Sequence, residues 1–465
     1  MRGALLLLAA GLLPAADWPT FRGVNSSGLA PDKGLIDDFG PDTGVIWKTA
    51  LPPGHSSPVL VGDRIYLTGY ESKKLYTFAL DRSTGKILWR REAPRPREET
   101  LHKANSPTSA TAASDGRNVF VFFPDFGVLS YGPDGEEKWR LPLGPFNNPM
   151  GQSSTPVLSG STLLVPCDQE SGSFFIALDK DTGKTKWRIE RPDFTRGFST
   201  PVFWTPKGGK KQVLLAGSYR LVAFDIETGR EEWFVRGLTW QLKPTPVLDD
   251  ERIYVLGWAG EADPGQQEVV PDFEEVAAKI DANKDGRFQK EELDEKLRKK
   301  FGELDMDNDG ALDRRDWSLY KAKRSVVNGV NCFRLGGKGD MTGKSELWKY
   351  EKSLPNVPSP LLYDGVLYLM KEGGILTSLD AKTGKVLKQA RLPGALGLYF
   401  ASPIAADGKL YTLSEEGKLS IIKAGGEWES IKVIDMGDGA HATPAIVDGR
   451  IYIRTHSVLY CFGKQ

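Results

Sequence analysis

Cysteine and histidine are scarce: three Cys and four His in 465 residues. Cys167, Cys332 and Cys461 are odd in number and none adjoins another, which argues against a disulfide framework and for buried free thiols. Four histidines and no Gly-x-Ser-x-Gly phrase leave no sign of a nucleophile triad. The sequence singles out no catalytic residue. Net charge is lacking too, since 61 basic and 61 acidic side chains cancel. No overall field therefore draws the chain to nucleic acid or to an anionic membrane. Beyond residue 16 there is no apolar run long enough to span a bilayer. The one apolar run, Ala4 to Leu13, follows Arg2 and precedes Pro14-Ala15-Ala16. Residues 1–16 thus read as a secretory signal, and with no lipobox cysteine the expected destination is periplasmic or secreted.

Glycine, proline and tryptophan are plentiful, at 51, 30 and 12, as suits many short strands joined by tight turns. A Ser or Thr, usually followed by Pro, opens a short apolar strand eight times: Ser57, Ser109, Thr155, Thr200, Thr245, Ser359, Ser402 and Thr443. The intervals are 52, 46, 45, 45, 114, 43 and 41 residues. That is the period of a four-stranded propeller blade. A second phrase, Asp-x-x-Thr-Gly, turns into an outer strand at Asp81, Asp179, Asp225 and Asp380. The outer strands carry Trp89, Trp139, Trp187, Trp233, Trp348 and Trp428, placed to wedge between neighbouring blades. The last unit, from Thr443, lacks an outer strand, whereas Asp42 to Lys48 is an outer strand without a blade. Joining the two closes the ring, so the expected fold is all-β, an eight-bladed propeller of antiparallel four-stranded blades.

The Leu178 to Trp187 and Phe224 to Trp233 phrases resemble the pyrroloquinoline-quinone (PQQ)-type propeller repeat. Asp17 to Gly23 and Gly54 to Pro58 resemble the opening of a group of exported PQQ-like propellers. The resemblance spans 17–259 and 327–465 and implies the fold. For function it implies two alternatives: quinoprotein dehydrogenases, and non-enzymatic propellers such as the outer-membrane assembly factor BamB. The family's alcohol dehydrogenases carry adjacent cysteines, which this chain lacks.

Residues 260–326 are the excess in the long interval, inserted in blade 5. Asp281, Asn283, Asp285, Gly286, Arg287 and Glu292 fit positions 1, 3, 5, 6, 7 and 12 of an EF-hand calcium loop. Asp305, Asp307, Asp309, Gly310, Ala311 and Asp316 fit the same positions of a second, with Asp in place of Glu at the last. Side chains at 1, 3 and 5 point into such a loop, a carbonyl at 7 contributes, and residue 12 closes the shell. Two matches 24 residues apart are not coincidence. Asp316 should weaken the second site or favour a smaller ion. Phe288 and Leu312 occupy position 8, where paired loops share a β-bridge. The short link from Glu292 to Asp305 argues, conversely, for one helix serving both loops and against face-to-face pairing.

An insert between the second and third strands of a blade shares a face with the entries to the inner strands. It is therefore expected over the mouth of the central funnel. Around that mouth stand the residues preceding each inner strand: His55, Asn105, Gln152, Phe198, Lys243, Asn356, Tyr399 and His441. A mixed polar and aromatic rim suits a small molecule or a peptide. The expected function is an exported, monomeric, calcium-binding propeller that serves as a binding or assembly scaffold. Its partner would be a protein or small molecule on that face. The alternative is a PQQ-dependent alcohol or sugar dehydrogenase using the funnel.

Overall fold

The computed structural model describes residues 17–464; the sequence-predicted signal, 1–16, lies outside the described residues. Eight antiparallel sheets form the ring. Blade 1 is representative: Val59–Val61, Arg64–Glu71, Lys74–Asp81 and Ile87–Ala93 pair in sequence order. Blade 8 is composite. Its three inner strands, Ala445–Val447, Arg450–Arg454 and Val458–Phe462, come from the last segment of the chain. The outer strand is Val45–Ala50, which pairs with Val458–Phe462 and sets Trp47 opposite Cys461. Closure in this way leaves no exposed sheet edge at the seam. Blade 5 runs Val247–Leu248, Arg252–Gly257, Gly329–Arg334 and Glu346–Tyr350, with the insert between its second and third strands. It also lends Gly339–Asp340 to blade 4 as a fifth, parallel strand against Trp233 and Phe234.

The Asp-x-x-Thr-Gly phrase has a mechanical role at each blade seam. Asp81 Oδ1 accepts from the Thr84 N–H (2.8 Å) and hydroxyl (2.7 Å), and Asp179, Asp225 and Asp380 repeat the arrangement. The glycine that follows has positive φ and lies flat under the preceding blade's tryptophan. A Cβ at Gly183 would sit 2.6 Å from the Trp139 ring, and one at Gly85 would meet Trp47 more closely still. No side chain is tolerated there. The indoles also donate across the seams, Trp47 to the Arg82 carbonyl and Trp187 to that of Ile226. All three cysteines are buried and unpaired, in blades 3, 5 and 8.

The N-terminal arm crosses the face opposite the insert and closes the channel from below. Trp18 bridges to Leu60 of blade 1, Asn25 exchanges two hydrogen bonds with Phe203 of blade 4, and Leu29 bridges to Ala405 of blade 7. Arg22, fully buried, donates to the carbonyls of Pro360 (2.8 Å) and Pro403 (3.2 Å).

The insert has four short helices: α1 (Phe273–Ile280), α2 (Glu295–Lys299), α3 (Phe301–Leu304) and α4 (Arg314–Ser325). Phe273, Phe288, Leu293, Leu304, Leu312, Trp317 and Tyr320 form its own core. Phe288 pairs with Leu312 and Gln289 with Ala311. The expectation of a single connecting helix without face-to-face pairing is therefore corrected. The helical link breaks at Lys300 into α2 and α3, and the break lets the second loop turn back on the first.

Candidate functional site

The funnel is a cavity of about 410 Å³ on the face that carries the insert. Its deep wall explains the repeated Ser/Thr phrase. Each backbone N–H donates to the hydroxyl of the next blade: Ser57 to Thr111, Thr111 to Thr155, Thr200 to Thr245, Thr245 to Ser359, Ser359 to Ser402, Ser402 to Thr443, and Thr443 back to Ser57. The circle is open only between Thr155 and Thr200. Proline follows most of these residues because that position needs no donor. In blade 2 the ring residue is Thr111, a correction to the expected Ser109. Ser109 sits two residues earlier, with its hydroxyl on the Asn105 side-chain oxygen (2.6 Å).

Six of the eight expected rim residues line the funnel: His55, Asn105, Phe198, Lys243, Asn356 and His441. Gln152 and Tyr399 do not, and their successors Ser153 and Phe400 do. Neighbours in extended chain point opposite ways, so an error of one residue turns the side chain inward. Gln152 is instead bonded to Asn148 (3.1 Å) and the Pro166 carbonyl (3.4 Å), and Tyr399 donates to the Ala395 carbonyl (2.8 Å). Sequence reasoning missed His102, Trp258 and the floor residue Phe21.

Lys243 is the one Lys, Arg, Asp or Glu among the described lining residues. Its ammonium donates to Asn356 Oδ1 (2.8 Å) and Gln241 Oε1 (3.1 Å). Burial, helped by the charge of Arg196, lowers its pKa to about 8. Across the ring from it, at blades 8 and 1, three histidines gather. His441 is stacked between His55 (3.9 Å) and Phe400 (4.6 Å), and its Nδ1 lies 3.0 Å from His456 Nε2. Burial first, then the neighbouring positive groups, lowers His55 to about 3 and His441 to about 4. Both rings are neutral at pH 7.

The insert shares this face but does not cover the mouth. Among the described residues, none of 260–326 lines the funnel, which corrects the expected placement. The reason is lateral docking on blades 3 and 4. Arg315 donates to the carbonyls of Pro192 (2.9 Å) and Glu170 (2.7 Å), Asn147 to that of Met306 (2.8 Å), and Tyr219 to that of Leu319 (3.2 Å). A second cavity, about 630 Å³, lies between insert and blades, with Arg196, Trp240, Asp305 and Lys323 in its wall.

The two acidic loops share one hydrogen-bond scaffold. Asp281 accepts from the N–H groups of Asp285 and Gly286, and Asp305 from those of Asp309 and Gly310. Glu292 accepts from Ala282 and Gln289, and Asp316 from Met306 and Asp313. Asp305, Asp307 and Asp309 bring one carboxylate oxygen each within 4.8 Å of one another. Burial pushes Asp316 up to about 7. Arg287, whose carbonyl is the expected contribution of position 7, extends its guanidinium to Asp309. Asn283 contacts Asp285 (3.0 Å), and Ala311 donates to Asp309 (3.1 Å).

A sequence-family model described as outer membrane protein assembly factor BamB matches residues 32–257 and 326–465, leaving out the insert. The chain belongs to that family. BamB of Burkholderia pseudomallei is 25% identical over 390 residues, covering 82% of this chain and 89% of that one. A polyvinylalcohol dehydrogenase from Pseudomonas is 24% identical over 255 residues, 45% of this chain and only 39% of that protein. Among solved structures, BamB of Moraxella catarrhalis aligns with a TM-score of 0.56 at 12% identity, covering 90% of this chain and 98% of that one. The quinohemoprotein alcohol dehydrogenase of Comamonas testosteroni aligns at 0.57 and 14%, covering 98% and 82%. These structural likenesses speak for the propeller fold alone. No helix among the described residues is long and apolar enough to cross a membrane.

Proposed function

We propose that this BamB-like propeller is an exported, non-catalytic binding or assembly scaffold whose inserted EF-hand loops hold calcium. The observation that carries the non-catalytic reading is the funnel's chemistry: no carboxylate and no arginine is among its described lining residues. A quinone-dependent dehydrogenase needs a carboxylate base at the reacting carbon and carboxylate ligands for the metal beside the quinone. Trp258, Phe198 and Phe400 offer flat surfaces, but the acid–base and metal-ligating groups have no counterpart here. The residues do not fit a quinone used for redox chemistry, and no step is derived through one.

The calcium reading is supported by the matched scaffolds of the two loops and by the convergence of Asp305, Asp307 and Asp309. Asp281, Asn283, Asp285, the Arg287 carbonyl and Glu292 would hold the first ion. Asp305, Asp307, Asp309, the Ala311 carbonyl and Asp316 would hold the second. Dissociation constants of roughly 10⁻⁴–10⁻³ M suffice outside the cytoplasm, where such modules operate. Calorimetric titration of the chain from residue 17 tests this. The expected result is calcium uptake that disappears in an Asp281→Ala, Asp305→Ala double variant. Unchanged uptake in that variant would refute the assignment. The likeness to polyvinylalcohol dehydrogenase sets the competing reading, and dye reduction with quinone, calcium and a panel of alcohols or sugars decides it; turnover would make the funnel a dehydrogenase site.

A further inference from the structure

We propose that the funnel receives an acidic segment of a partner protein, a carboxylate side chain flanked by apolar ones. The inference rests on the scaffold reading and names the chemistry of its partner; it does not depend on calcium.

Three features converge on an acceptor-rich, negatively charged occupant. The first is the hydroxyl ring. Seven of its hydroxyls accept from a neighbouring blade's N–H, which fixes each oxygen. None of the seven donates to a described protein acceptor, although these side chains are buried. A buried hydroxyl retains one hydrogen to give, so the deep wall is a circle of unspent donors. The second is Lys243. Two amide oxygens orient its ammonium, and no described carboxylate pairs with it, which leaves a third hydrogen free. The third is the surrounding charge. Arg22 beneath the floor and Arg454 behind His55 are both buried, and both are bonded only to carbonyls and a serine hydroxyl. Burial lowers each to about 9, still cationic at neutral pH. Three uncompensated cations in a low-dielectric wall focus a positive potential on the channel, in a chain whose overall charge is zero.

The rim favours a protein over a free acid. Phe198, Trp258 and Phe400 give the upper wall apolar surface. The loop that carries Phe400 also holds Leu396 and Leu398 out to solvent, 59% and 48% exposed. An acidic side chain entering the funnel would lay its apolar neighbours on this lip. Hydrogen bonds to a carboxylate supply specificity there, and the lip supplies buried area.

The test is calorimetric titration with three probes: a short capped peptide of alternating glutamate and leucine, its glutamine twin, and citrate. The glutamate peptide should bind on the order of tenfold or more tightly than the twin, and Lys243→Met should erase that preference while Lys243→Arg keeps part of it. Thermal melting of Lys243→Met should match the parent, which separates lost binding from lost folding. Equal affinity for the two peptides, absence of saturable binding, or a preference that survives Lys243→Met would overturn the inference. Citrate binding more tightly than the glutamate peptide would overturn the choice of a protein segment. Each titration is run on protein whose calcium uptake has been measured. Lost peptide binding with calcium uptake intact counts against the funnel alone, and the converse counts against the calcium loops alone.

Discussion

One face of this propeller carries two sites of opposite sign. In the insert, carboxylates converge and the backbone N–H groups around them are already spent on those carboxylates. In the funnel, donors converge and acids are excluded from the described lining. The difference teaches how a chain of zero net charge presents two unlike surfaces: carboxylates converge at one place and donors at another, while local ion pairs such as Arg287 with Asp309 persist around them. In the insert Asp305, Asp307 and Asp309 bring one carboxylate oxygen each to a common point, which is what the proposed calcium loops would require. The ring collects hydroxyls because each blade needs an acceptor for the N–H of its neighbour, and the hydroxyl hydrogens are left over. The second arrangement is a by-product of closing the ring, whereas no such closure accounts for the converging carboxylates of the first.

The largest expected effect comes from putting charge where the mouth excludes it. His55 and His441 have folded pKa values of about 3 and about 4, against an ordinary value near 6.5. The folded state therefore binds fewer protons than the unfolded one, and stability rises with pH. The contribution is complete above about pH 6.5 and is lost as pH falls from there toward 4. The groups facing the stack are His456, Arg454 and Glu415, the last 3.7 Å from His441 Nε2. The loss by pH 4 is on the order of 6 kcal/mol for the pair. His55→Phe, which keeps the stack but cannot protonate, should remove about half of it. Melting temperatures at pH 7, 5 and 4 check this; parallel curves for parent and variant would remove the argument.

The next effect separates the two acidic loops. Asp305 is 6% exposed and Asp281 is only partly covered, though each accepts two backbone N–H groups. Without metal, Asp305→Ala leaves two half-covered donors, the N–H groups of Asp309 and Gly310, at about 2 kcal/mol, whereas water replaces the acceptor in Asp281→Ala, at about 1 kcal/mol. Amide exchange at Asp309, Gly310 and α4, measured in chelator, reads the difference directly. Equal protection losses would show that the loops are equivalent after all.

Much of this was legible in the sequence. The blade period, the composite last blade, the tryptophan wedges and both acidic loops follow from spacing alone, because each is a local phrase with a local physical cause. The ring of hydroxyls was visible as a repeat, but its purpose was not, since the hydrogen bond joins residues about 45 positions apart. Three long-range facts were hidden. The docking of Arg315 on blade 3 moves the insert off the mouth, and no periodicity announces it. The one-residue choice between Gln152 and Ser153, or Tyr399 and Phe400, depends on where each strand's pleat begins. Arg22 looks like an exposed charge in a polar arm, and only the closed channel shows it buried.

Arg315→Ala sharpens the contrast between docked and free parts of the insert. It removes two charge-assisted bonds to main-chain carbonyls, and release of the insert from the blades should become easier by about 2 kcal/mol. Limited proteolysis within 260–326 should quicken while the propeller fragments stay intact. Asn147→Ala, which removes one neutral bond to Met306, should quicken it less, by about 1 kcal/mol. Insensitivity to both changes would mean that the apolar contacts of Tyr219, Met306, Leu319 and Val326 hold the insert unaided.

The smallest effect is the difference of one methylene between the loops. Glu292 and Asp316 hold the same two backbone contacts, at positions 2 and 9 of their loops. A longer carboxylate reaches a central cation with both oxygens, and a shorter one does so less readily. Glu292→Asp should therefore lower the first loop's calcium affinity about tenfold, close to that of the second. The reverse change is not symmetric. Asp316 is 2% exposed, so the added methylene of Asp316→Glu must be fitted into packed surroundings, and some of the gained affinity is offset by strain. Calcium titrations of the two variants should show a clear loss for the first and a smaller gain for the second. Equal and opposite shifts would mean that the docked loop is as pliant as the free one, and that burial against the propeller sets its position without setting its affinity.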